Sequence, residues 1–165
     1  MITAASEVGD LPLFHGVSSE TLARHGLRFG RHSLKAGENL VLSGDPMTRI
    51  WFIKGGWVRV RVHSPGGHEA TTAILGPGEL AGCADETGLS SYPCTITAVS
   101  DVSALSVGNQ VFERWLKTDA QASWRLVEIL CRRLAESASL QAINAERASV
   151  RLPLTLHWLT RKFGP

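Results

Sequence analysis

Between residues 111 and 147 the chain has neither glycine nor proline. That absence excludes turn-punctuated strands from the stretch and permits a long helix. Cysteine is scarce, with three residues (Cys83, Cys94 and Cys131) at wide spacing. A disulfide framework is thereby excluded, and the cytoplasm, with reduced thiols, is the expected location. No apolar run approaches the length of a membrane span. Met1 to Asp10 lacks the basic start and apolar stretch of a secretory signal. A net charge of +2 is too small to imply a nucleic-acid partner by itself. Its distribution is uneven. Residues 1–110 carry 8 Lys/Arg against 10 Asp/Glu, and residues 111–165 carry 9 against 5. The last third is mildly basic, which suits a solvated helix face as well as a segment leading toward DNA.

Glycine and proline are concentrated before residue 110, with 15 of 16 glycines and 5 of 7 prolines there. Such punctuation predicts short strands joined by turns. Ser18 and Ser19 precede Glu20-Thr21-Leu22-Ala23 as a capped helical start. Strands are expected at Arg31–Leu34, Asn39–Leu42, Ile50–Ile53, Trp57–Val62, Glu69–Leu75, Thr95–Val99 and Val102–Val107. Trp57-Val58-Arg59-Val60-Arg61-Val62 alternates with period two, as a half-buried strand does. The turns between them fall at Lys35–Glu38, Ser43–Pro46, Gly55-Gly56, Ser64–Gly67 and Gly76–Gly78. Seven short strands so spaced predict a sandwich or closed roll.

The rest reads as helix. A short helix is expected over Val111–Leu116 and a long one over about Ala122–Glu146. Two apolar stripes run along the long helix. One is Val127, Leu130, Cys131, Leu134, Ala138, Ala142 and Ala145. The other is Leu126, Ile129, Leu140 and Ile143. One stripe packs on its own domain, and a second needs another partner. The economical partner is the same helix of a second copy, in a two-fold homodimer. Ser149 is expected to cap a further helix, Val150–Phe163, with Pro153 in its first turn. Leu152, Leu154, Leu156, Trp158 and Leu159 make that piece strongly apolar.

In order and spacing these features resemble the CRP/FNR superfamily of transcription regulators, over roughly residues 11 to 163. Leu11-Pro12-Leu13-Phe14-His15-Gly16-Val17-Ser18 looks like the family's opening helix. Lys35-Ala36-Gly37-Glu38 with Gly44-Asp45-Pro46 is similar to its first turns. Ile50 to Val60, through Lys54-Gly55-Gly56, looks like its strand, glycine turn and strand. Leu75-Gly76-Pro77-Gly78-Glu79-Leu80-Ala81-Gly82 resembles the approach to a phosphate-binding cassette, and Arg132-Arg133-Leu134 the dimerisation helix. The resemblance implies a mainly β fold with flanking helices. Its body would be an antiparallel double-stranded β-helix, a jelly roll of cupin-like form. It implies a cyclic-nucleotide-binding-like roll over 11–121, a dimerisation helix over 122–147, and a stub at 149–165 resembling the first helix of a winged helix-turn-helix head. The effector would sit in the roll and reorient DNA-binding heads through the long helices. The 165 residues contain no recognition helix, so they are not expected to bind operator DNA specifically by themselves.

The resemblance places a ligand pocket along Gly82, Cys83, Ala84, Tyr92, Pro93, Cys94 and Thr95. Family members that bind cyclic nucleotides follow the glycine with a glutamate for the ribose, and later use an arginine for the cyclic phosphate. Here Cys83 and Tyr92 stand at those positions. Asp85 and Glu86 would repel a phosphate at the short helix that follows Gly82. Weak or no cAMP binding is therefore expected, unless Arg59, Arg61 or another basic side chain reaches the pocket. Ser137 matches a position from which the family's long helix contacts the purine, and Ala138 does not match its neighbour. Cys83 and Cys94 allow a redox pair or a haem ligand, although cysteine is more often a small apolar filler. The cysteine set of iron–sulfur members is missing, since no cysteine precedes Cys83.

Enzymatic readings fare poorly. A cupin-like metal site needs clustered histidines and a carboxylate. Only His63 and His68-Glu69 are available, around a turn. Neither cysteine has a histidine base placed beside it by sequence. His15, His25 and His32 fall in the opening region. Arg147, Arg151, Arg161 and Lys162 are spread widely enough to read as a helix face. The expectation is a cytoplasmic, homodimeric, non-enzymatic effector domain. Its cofactor is unknown, with cAMP disfavoured and haem open, and a ligand-free dimerisation module is the alternative.

Overall fold

The computed structural model describes residues 5–63, 66–82 and 90–164. The chain opens with a helical turn α1 (Ala5–Val8), a 3-10 turn (Pro12–Phe14) and α2 (Ser19–Arg24). Ser18 caps α2, its side chain accepting from the Thr21 N–H at 3.1 Å. Eight strands follow: β1 (Gly30–Leu34), β2 (Asn39–Val41), β3 (Arg49–Gly55), β4 (Val58–His63), β5 (Glu69–Leu75), β6 (Leu80–Ala81), β7 (Thr95–Ala98) and β8 (Val102–Gly108). They form two four-stranded sheets, β1-β8-β3-β6 and β2-β7-β4-β5, in which each strand pairs antiparallel with its neighbours. Strands consecutive in sequence mostly pass from one sheet to the other. This is the jelly-roll arrangement expected from the turn spacing.

The two faces of β3 organise the interior. Trp51 and Ile53 join Val58, Leu75, Ala81, Tyr92, Ile96, Ala98, Val102 and Ala104 in the core inside the roll. Ile50 and Phe52 alternate to the other face. There the Phe52 ring meets Phe14 at 5.2 Å and Phe112 at 5.9 Å. With both faces covered, the strand reads as an unbroken apolar run. Phe14 also stacks on Trp115, with ring planes 5° apart and centroids at 5.1 Å. Gly56 turns β3 into β4 at a φ of +78°, and a Cβ there would run into the Asp101 carbonyl.

Two elements escaped the sequence reading, α1 and β6, and the opening helix expected within Leu11–Ser18 is only the 3-10 turn Pro12–Phe14. All are too short for periodicity to register. Trp57 lies outside β4, because its N–H donates to the Ser100 hydroxyl at 3.0 Å instead of a ladder partner. The helix expected at Val111–Leu116 is longer, α3 (Asn109–Thr118). Asp119 separates it from α4 (Ala120–Ala145) and caps the latter, its carboxylate accepting from Ala122 N–H at 3.0 Å. The last helix, α5 (Ala148–Phe163), begins after Arg147. Ser149 is thus inside its first turn, which corrects the expected cap. Pro153 is a helix residue near that end, where few backbone bonds are lost.

The chain divides into two compact units, residues 1–126 and 127–165. The first holds the roll, α3 and the start of α4. The second holds the rest of α4 and α5. Within it Lys162 pairs with Glu136 at 3.0 Å.

Candidate functional site

Residues 83–89 lie outside the described residues, and with them Cys83, Ala84, Asp85 and Glu86. The flanks of that segment are well defined. Gly82 has φ +101°, and a Cβ on it would sit 3.3 Å from the Arg49 carbonyl oxygen. On the far side, Ser90 to Tyr92 is laced to the turn before β3. Met47 N–H donates to the Ser90 carbonyl at 3.1 Å, Tyr92 N–H to the Asp45 carbonyl at 2.9 Å, and Gly44 N–H to the Tyr92 carbonyl at 2.9 Å.

This lacing aims the Tyr92 side chain into the roll, where the residue is 4% exposed. Its hydroxyl donates to the backbone carbonyl of Arg49 at 2.6 Å. It accepts from the indole N–H of Trp51 at 3.1 Å. Burial pushes the phenol above its usual pKa, and the bond from Trp51 partly offsets that. The group is neutral at physiological pH, as a donor to a carbonyl must be. A neutral, doubly bonded phenol therefore occupies the position that the resemblance assigns to a cation.

The other expected pocket residues divide between faces. Cys94 is half-buried and packed against the roll core. Pro93 is exposed. Thr95 is buried on the opposite face, where its hydroxyl accepts from Ser43 N–H at 3.1 Å. Ser137 belongs to the second unit, half-buried on α4.

Arg59 and Arg61 do not supply the missing cation inside the roll. Val58 and Val60 pack on the inner core, so alternation turns both arginines outward. Arg61 pairs with Glu69 at 2.5 Å and donates to Thr97 Oγ1 at 2.9 Å, leaving its buried Nε without a partner. Its hydrogen bond holds the Glu69 carboxyl below the usual range. His63 stands 3.8 Å from that carboxylate. Among the described residues no group of three metal-ligating side chains converges.

A polar cluster at the exposed end of the β1-β8-β3 sheet went unnoticed in the sequence. Arg49 follows the same alternation as Trp51 and Ile53, but at the first position of β3, where it is exposed to solvent. Its guanidinium donates to Ser106 Oγ at 2.9 Å. The same hydroxyl lies 2.9 Å from His32 Nε2. The His32 ring meets Trp51 edge-on at 4.7 Å. Burial, and then the Arg49 charge, lower the pKa of His32. Starting the expected strand at Ile50 hid Arg49. Extending the β3 alternation back by one residue would have revealed it.

On α4 the large apolar side chains Trp124, Val127, Leu130 and Leu134 are exposed, Leu134 by 71%. Cys131 is an exposed free thiol among them. Trp124, Val127, Cys131, Leu134 and Ala138 follow one another at intervals of three and four residues, the spacing of a helical seam. Leu126, Ile129, Leu140 and Ile143 are half-buried. On α5, Val150, Leu152, Leu154 and Leu156 are exposed. No helix among the described residues is long and apolar enough to cross a membrane.

Residues 31–119 match the cyclic nucleotide-binding domain family. The Cyclic AMP receptor protein of Thermus thermophilus is 29% identical over 156 residues, which cover 93% of this chain and 72% of that protein. The CRP-like cAMP-activated global transcriptional regulator of Mycobacterium tuberculosis is 24% identical over 122 residues. That alignment covers 74% of this chain, which spans 54% of the relative's length. Among solved structures, FixK2 from Bradyrhizobium japonicum shares the fold with a TM-score of 0.72 at 18% identity, over 84% of this chain and 69% of its own.

Proposed function

Since this chain belongs to the cyclic nucleotide-binding domain family, as an effector domain of CRP/FNR type, we propose that it senses an effector other than cAMP and dimerises through α4. The observation that carries this reading is Tyr92, buried and bonded to Arg49 and Trp51. A cyclic phosphate placed beside it would meet a neutral phenol. Desolvating that charge without a paired cation costs on the order of several kcal/mol. That is a large share of the affinity of a good small-molecule site. The names of two relatives refer to cAMP. The property is not carried to this chain, because Cys83 and Tyr92 replace both charged contacts.

In this reading residues 11–121 form the effector roll, 122–147 the dimerisation helix, and 149–165 the start of a DNA-binding head. The effector biases the paired helices between two arrangements, and the heads follow. The exposed seam on α4 supports the dimer, and the regulator relatives support the DNA-directed output. Isothermal titration with cAMP tests the reading. No saturable heat is expected up to millimolar nucleotide, and micromolar binding would overturn it. A second reading, a ligand-free dimerisation module, draws on the same plug, since Tyr92 fills space a ligand would use. Native mass spectrometry separates the two: a retained small molecule favours the sensor, and a bare dimer the module.

A further inference from the structure

We propose that Arg49, His32 and Ser106 form an oxyanion-binding site at the exposed end of the β1-β8-β3 sheet, for the carboxylate or phosphate group of a small effector. The proposal rests on the reading of the roll as an effector domain that does not take cAMP, and it names the chemistry of the ligand.

Three strands contribute. Arg49 opens β3, His32 lies in β1, and Ser106 lies in β8, fully buried. The single Ser106 hydroxyl joins the other two side chains, each at 2.9 Å. Two groups able to carry positive charge are thus held around one oxygen. Among the described residues neither forms an ion pair with a carboxylate. A guanidinium has five N–H donors in a fork that matches carboxylate and phosphate oxygens, and Ser106 engages only one of its nitrogens.

Gly30 borders the cluster. A Cβ there would stand 3.2 Å from His32 Nε2, 3.3 Å from Ser106 Oγ and 3.8 Å from an Arg49 terminal nitrogen. Gly30 has no positive φ, so backbone conformation does not demand glycine. A side chain at this position would crowd the polar groups themselves. The hydrogen bonds also set the resting state. Ser106 Oγ accepts from Arg49, and its bond with His32 Nε2 runs in the direction the imidazole tautomer allows; burial and the Arg49 charge favour the neutral imidazole. An arriving anion supplies the charge that favours the imidazolium, so binding is coupled to uptake of a proton by His32.

The site is also wired to the cassette flank. The Arg49 carbonyl is the acceptor for the Tyr92 hydroxyl, so the backbone that carries the guanidinium also holds the phenol.

The test is a titration of the full chain with inorganic phosphate, and separately with acetate, at constant ionic strength in chloride. The readout is the imidazole carbon–proton NMR signal of His32, assigned with His32→Gln. A saturable shift at His32 is expected with at least one anion, together with a rise in its titration midpoint. Arg49→Gln, an exposed position whose replacement spares the core, is expected to weaken that binding about tenfold or more. Gly30→Ala is expected to block it. Response to phosphate alone assigns a phosphate-bearing effector, and response to acetate alone a carboxylate. No saturable response to either, or an unchanged response in Arg49→Gln, overturns the site. A parallel cAMP titration separates the two claims. Micromolar cAMP binding overturns the reading of the roll, whether or not it persists in Arg49→Gln. Silence in every titration overturns the oxyanion site alone.

Discussion

Tyr92 donates its phenolic proton to the carbonyl oxygen of Arg49 at 2.6 Å. One bond thereby ties the strand that enters β7 to the first residue of β3. The same oxygen of Tyr92 accepts the Trp51 indole N–H, so removing it orphans two buried groups at once. Tyr92→Phe is expected to lower unfolding free energy by about 1–3 kcal/mol, the penalty for unsatisfied buried polar groups. Urea unfolding measures it, and no change in midpoint would show that water replaces the phenol. Tyr92→Arg is expected to destabilise further without conferring tight cAMP binding, since the proposed reading has Cys83 at the ribose-binding position.

His32 gives a pH dependence whose sign follows from its surroundings. Burial and Arg49 depress its pKa below the ordinary value of about 6.5. The unfolded chain therefore binds more protons than the folded one as pH falls through that region. Stability from a neutral His32 is present above about pH 6.5 and is lost progressively as pH drops toward the depressed folded value. In chloride buffer, the melting temperature of the wild type is expected to fall more steeply between pH 7.5 and 5 than that of His32→Gln. Parallel curves would remove His32 from the account.

The α4 seam predicts two outcomes for a dimer. Leu134→Glu, at a residue 71% exposed, is expected to leave the roll folded and weaken dimerisation at least tenfold, as read by sedimentation equilibrium. An apolar contact exchanged for a pair of like charges loses more than about 1.4 kcal/mol. Cys131 tests the register. In a parallel two-fold pairing on the Trp124–Val127–Cys131–Leu134 seam, the two thiols approach each other. Mild oxidation with diamide is expected to give a covalent dimer that Cys131→Ser abolishes. A monomer at micromolar concentration would refute the seam.

The aromatic cluster outside the roll sets a stability benchmark. Trp115 is fully buried and stacked on Phe14. Trp115→Ala is expected to cost about 3–5 kcal/mol and to loosen the junction of α3 with the sheet. Denaturant unfolding checks the magnitude, and exchange of the α3 amides checks the location.

Much of the architecture was legible because it depends on local signals. The Gly-Gly turn at Gly55-Gly56, the alternation from Val58 to Val62 and the glycine-free stretch before Arg147 each report backbone geometry over a few residues. The short pieces were not legible. Leu80–Ala81 is a strand only because Trp51 and Phe52 of β3 pair with it, a long-range bond that no local pattern announces. The expected Ser149 cap failed for a related reason. Serine is a good cap by composition, yet the helix starts two residues earlier, with no side-chain bond at Arg147.

The candidate site divides along the same line. That Tyr92 stands where a cation was expected is a fact of sequence order. That its hydroxyl is consumed by Arg49 and Trp51 is a fact of folding, because those residues lie more than forty positions away in the chain. The sequence alone determined the class of fold, and it carries the expectation of a cassette without its charged residues. These follow from turn chemistry and residue identity. Only the tertiary structure decided that Arg61 lies on the outer face against Glu69 while Arg49 joins Ser106 and His32 at the exposed end of the other sheet. Which face of a strand meets the core is set by the register of its neighbours across the sheet, and register is a property of the assembled roll.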